Sequence, residues 1–77
     1  MNYYEIRLGN GYDGGKSVWM CIKGTREPTI REASDFCRAD VESYKLPVSG
    51  VYPIDERTAR SCYDFSHEQD WPVFTGN

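Results

Sequence analysis

Two stretches of alternating side chains flank a glycine-rich interval, and this arrangement restricts the first third of the chain to an antiparallel hairpin. From Asn2 to Leu8, the residues Tyr4, Ile6 and Leu8 share one face, while Tyr3, Glu5 and Arg7 share the other. Alternation returns from Lys16 to Lys23, with Val18, Met20 and Ile22 on one side and Ser17, Trp19 and Cys21 on the other. Gly9 to Gly15 between them reads as the turn, because glycine adopts positive φ without strain.

A helix follows. Thr29 can cap the free amides of its first turn, and Glu32, three residues on, can reach back as in a capping box. The helix is expected to run to about Tyr44, with Ile30, Ala33, Phe36 or Cys37, Val41 and Tyr44 forming the stripe that packs on the hairpin. Arg31, Asp35, Arg38 and Glu42 fall opposite and face solvent. Leu46 to Gly50 reads as a connector and Val51, Tyr52 and Ile54 as a short strand, which Pro53 confines to a sheet edge or an early end. Asp55 is placed to cap a second short helix, Glu56 to about Tyr63. Phe65 to Asp70 reads as loop, and Trp71-Pro72-Val73-Phe74 as an apolar clip that docks the tail. The expected architecture is one α+β domain over residues 1–77, in the order β-β-α-β-α with a possible last short strand, its small antiparallel-rich sheet carrying helices on one face.

Size and charge narrow the function. A chain of 77 residues buries only about 60% of the surface its unfolded form exposes, so an enclosed active site would compete with the core for apolar side chains. Nine basic residues against 12 acidic give a net charge of −3 with no Lys or Arg run, which disfavours direct nucleic-acid binding. The longest strictly apolar run, Val18 to Ile22, is far too short to span a membrane, and no leader pattern follows Met1. Cys21, Cys37 and Cys62 are odd in number, which points to reduced thiols and a cytoplasmic location.

Several patterns mimic catalytic chemistry. Gly9-x-Gly11-x-x-Gly14 fits a nucleotide-binding fingerprint, but a strand rather than a helix follows it, so turn geometry is the better reading. Gly15-Lys16-Ser17 echoes the end of a P-loop without its first glycine. Cys21, Cys37, Cys62 and His67 lack the close ligand pairs of a zinc site, so no metal and no cofactor is expected. Asp64-x-x-His67-x-x-Asp70 could charge an imidazole beside Cys62, which defines an enzymatic alternative.

The favoured site is the outer hairpin face. Tyr3 and Trp19 are expected to neighbour each other there, either under the Trp71 to Phe74 tail or as an exposed patch for a partner. Glu5, Asp64, Glu68 and Asp70 would supply an acidic rim suited to a basic partner. With its start at Met1, its Tyr-rich strands and a segment such as Tyr52-Pro53-Ile54-Asp55-Glu56, the chain resembles in type the small acidic accessory proteins of phages and mobile elements, among them the anti-CRISPR inhibitors. The resemblance implies a stoichiometric inhibitor of a protein or ribonucleoprotein partner, such as a host defence nuclease in the host cytoplasm, and it assigns no residue a role. A homodimeric structural or regulatory module, paired through a sheet edge or the Tyr3/Trp19 face, is the second expectation.

Overall fold

The computed structural model describes residues 1–9 and 15–76. β1 (Asn2–Leu8) and β2 (Val18–Gly24) pair antiparallel, as the alternation requires. Most of the turn between them, and with it the Gly11 and Gly14 of the fingerprint match, lies outside the described residues. β3 (Val48–Ile54) pairs antiparallel with the other side of β1, and β4 (Val73–Phe74) lies parallel to β2, giving the strand order β3-β1-β2-β4. The fold is α+β, with the expected element order and the last short strand present.

Pro53 sits in edge strand β3, where its missing N–H breaks no ladder. The strand also takes in Val48 to Gly50, read from the sequence as connector. A β-bulge explains the difference: the register slips between Arg7 and Leu8, and the extra residue, Ser49, turns its hydroxyl onto the backbone carbonyls of Arg7 and Gly9, 3.2 and 2.5 Å away.

The first helix starts as the capping box dictates. The Glu32 N–H donates to Thr29 Oγ1 at 3.1 Å, and the Thr29 N–H donates to Glu32 Oε1 at 2.9 Å. The helix divides, however, into α1 (Ile30–Phe36) and α2 (Arg38–Tyr44), because Cys37 leaves helical geometry at ψ 26°. Ala33, Cys37 and the partly buried Phe36 and Val41 pack on Tyr4, Ile6, Leu8 and Ile22, whereas Ile30 and Tyr44, the outer ends of the expected stripe, are exposed. The tail closes this core: Phe74 is buried and meets Phe36 edge-on at 5.8 Å.

α3 (Glu56–Cys62) is capped by Asp55, whose Oδ1 accepts the Thr58 N–H at 2.7 Å. Helices on one face describes α1 and α2 only. α3 and the segment after it cover the opposite face, where Tyr63 reaches Glu5 and Phe65 packs on Tyr3. The even-numbered β1 side chains are already covered by α1 and α2, and the large odd-numbered ones need a second cover. No helix among the described residues is long and apolar enough to cross a membrane.

Candidate functional site

The odd-numbered face of the sheet can be read in rows across three strands. Tyr3 lies between Lys23 and Ile54, Glu5 between Cys21 and Tyr52, and Arg7 between Trp19 and Gly50. Tyr3 and Trp19 are therefore not neighbours, contrary to expectation. They stand four residues apart along the strand direction, roughly 13 Å at the usual rise per residue.

The Tyr3 row is sealed. Phe65 packs on the Tyr3 ring at 5.4 Å and Trp71 on Phe65 at 5.0 Å, leaving Tyr3 only 7% exposed. The Tyr3 hydroxyl donates to Glu68 Oε1 at 3.0 Å. Burial, reinforced by that hydrogen bond and the charge of Glu68, pushes the phenol up to about 12. Lys23 is buried too, and its ammonium donates to the Glu68 backbone carbonyl at 2.7 Å with the Glu68 carboxylate 3.4 Å away. The Tyr3 bond, ahead of Lys23, holds the Glu68 carboxyl below its ordinary value.

In the middle row the Tyr52 ring leans out over Gly50 toward Arg7, while Glu5 is sealed by a network of its own. Its Oε1 accepts the Tyr63 hydroxyl and its Oε2 the Arg7 Nε–H, each at 2.8 Å, so both oxygens of this buried carboxylate are engaged. Burial, then the Glu5 bond, raises the Tyr63 phenol well above its usual range. Burial also raises the Cys21 and Cys37 thiols to about 11.

The third row is open. The Arg7 guanidinium lies 4.3 Å from the Trp19 ring and 4.4 Å from the Tyr52 ring, forming an aromatic–cation–aromatic sandwich across β2, β1 and β3. Trp19 is 55% and Tyr52 44% exposed. Glycine at 50 makes this possible, because a Cβ there would come within 2.6 Å of the Tyr52 ring and lift it off the sheet. The patch thus offers two flat aromatic surfaces around a cation held from below by Glu5.

Of the residues expected to form the site, Trp19 alone stands on this open row. Tyr3 and Glu5 are buried in the covered rows, and the half-buried Glu68 is bonded to the Tyr3 hydroxyl above them. Asp64 and Asp70 are exposed on the covering segment, and the Ser66 N–H, bonded to Asp64 Oδ1 at 2.9 Å, holds the Asp64 carboxyl below its usual value. The acidic rim therefore reduces to Asp64 and Asp70 on the covering segment. Arg7 and Tyr52 were missed. Alternation put Arg7 on the right face and assigned Tyr52 to none; only the folded sheet, with the Tyr52 ring lying over Gly50, brings the two together beside Trp19.

Cys62 and His67 are both exposed, and no hydrogen bond joins them among the described residues. No cluster of three metal-binding side chains occurs among the described residues. Comparison with known protein families, with curated proteins and with solved structures returns no match.

Proposed function

We propose that the chain is a small non-enzymatic binding protein that docks on a larger protein or ribonucleoprotein and blocks it stoichiometrically, in the manner of the counter-defence inhibitors it resembles in type. The carrying observation is the Trp19–Arg7–Tyr52 sandwich: two rings left in water on a face where Tyr3 and Glu5 are covered by the chain itself. Trp, Tyr and Arg are the residue types that most often anchor protein interfaces, and rings already fixed by a guanidinium lose little rotamer freedom on binding. Asp64 and Asp70, with the net charge of −3, favour a partner whose surface beyond the patch is basic.

The test is affinity capture from a lysate of the source or host cells with tagged protein, run beside Trp19→Ala and Tyr52→Ala variants whose circular dichroism is unchanged. A partner held at unit stoichiometry and lost in both variants supports the reading. Equal capture by both variants, or no stoichiometric partner, overturns it.

A further inference from the structure

The two edges of the sheet are built differently. On β3, Pro53 pairs with Tyr4, and its peptide nitrogen, which carries no hydrogen, points away from β1. That edge is blunted in the way natural sheets avoid unwanted pairing. On β2 the Thr25 N–H donates to Phe74 O at 3.0 Å, so the odd-numbered residues of this strand turn their peptide groups outward. β4 meets only Lys23 and Gly24. Among the described residues, no strand pairs with the outer side of Trp19 and Cys21. Their N–H and C=O groups form a short ladder that none of these strands pairs, with Trp71 and Pro72 standing near its Cys21 end.

Next to that ladder, on the α1 and α2 side of the sheet, lies a cavity of 190 Å³, walled by Met20, Ile22, Phe36, Cys37 and Pro72 with Asp40 as its charged member. An engineered cavity of about 150 Å³ admits benzene, so this one has room for a leucine or phenylalanine side chain. Asp40 makes no ion pair among the described residues.

We propose that this edge recognises an extended segment of a protein partner by strand addition. The segment pairs its backbone with Trp19 and Cys21, sinks one aliphatic or aromatic side chain into the Met20–Phe36–Pro72 cavity, and sets a Lys or Arg two positions away, on the same face, against Asp40. Its intervening side chains fall beside Trp19 on the opposite face, which continues the aromatic patch. A second copy of this chain, itself at −3, fits the Asp40 position less well than a basic segment does. The inference rests on the binding-protein reading and specifies how such a partner is held.

The probe is a phage-displayed library of random linear dodecapeptides. Enriched peptides should carry a large apolar residue with Lys or Arg two positions from it, and should slow hydrogen exchange at the Trp19 and Cys21 amides at least roughly tenfold. Cys21→Pro removes an outward N–H without touching the β1 ladder, and should weaken binding at least roughly tenfold. N-methylating alternate peptide amides should do the same with the protein unaltered, so a folding defect in Cys21→Pro cannot decide the matter. Absence of any enriched peptide, unchanged exchange at both amides, or tolerance of N-methylation at every position overturns strand addition. Peptides that leave both amides unchanged yet are lost in Tyr52→Ala sink strand addition while sparing the binding reading. That reading fails separately, when no stoichiometric partner is captured or when Trp19→Ala and Tyr52→Ala capture it as the parent does.

Discussion

Replacing Arg7 with methionine keeps the aliphatic stem on the sheet and removes the charge that joins Glu5, Trp19 and Tyr52. At an effective dielectric of about 20, opposite charges roughly 4 Å apart attract by about 4 kcal/mol before desolvation is counted. The Arg7 side chain is 38% exposed, so solvent screening reduces the net ion pair to about 1 kcal/mol. The two ring contacts, half in water, add about 0.5 kcal/mol each. Arg7→Met should therefore cost about 2 kcal/mol. Glu5→Gln should cost about 1 kcal/mol, because the Tyr63 hydroxyl can still donate to the amide oxygen. The double variant should cost about 1 kcal/mol less than the sum, since the ion pair is removed only once. A domain of 77 residues is stable by about 4 to 12 kcal/mol, so all three variants should remain folded. The assay is urea unfolding followed by circular dichroism, in which Arg7→Met should lower the midpoint by roughly 1 to 2 M. Costs that add to within about 0.5 kcal/mol would refute the coupling. Arg7 would then be no more than a surface cation, and the patch would not be fixed before it meets a partner.

Phe74→Ala should cost about 3 kcal/mol and lower the melting temperature by roughly 12 to 24 °C, since it opens a cavity against Phe36; a loss under about 1 kcal/mol by calorimetry would show the tail to be a surface clip. Tyr3 is held protonated up to about 12 against an ordinary 10, so its contribution to stability is whole below pH 10 and is lost as the pH rises through 12. A tyrosinate absorbance titration should accordingly show Tyr3 and Tyr63 ionising late and together with unfolding, and Tyr3→Phe should flatten the loss of stability over that interval. Iodoacetamide at pH 8 should label exposed Cys62 well before Cys21 and Cys37, whose thiols are raised to about 11. Equal rates would contradict the burial of Cys37 and the partial burial of Cys21.

What the sequence disclosed depended on range. Elements set by neighbours in the chain were legible: the alternation of β1 and β2, the Thr29–Glu32 box, the Asp55 cap and the edge position of Pro53 each follow from contacts a few residues long. The division of the helix at Cys37 was not, because no glycine or proline marks it and the bend serves packing on the sheet. Alternation named the face of Tyr3 and Trp19, but register decides which rows they occupy, and nothing local fixes register across a long glycine-rich turn. Likewise Glu5 and Glu68 read as surface acids until Tyr63, Tyr3 and Lys23, distant in sequence, are seen to hold them inside.

The pairing of β4 also has a bearing on the order in which the chain folds. β1 and β2 are close in sequence and can zip together within about 1 to 10 μs. β4 must carry Val73 back to Lys23, a contact whose loop-closure entropy makes it late. During synthesis the hairpin leaves the ribosome well before Phe74, and for that interval the whole outer side of β2 lies bare. That state is open to pairing with another chain until Val73 and Phe74 dock, so substitutions that weaken their docking should prolong the exposure and raise aggregation during expression.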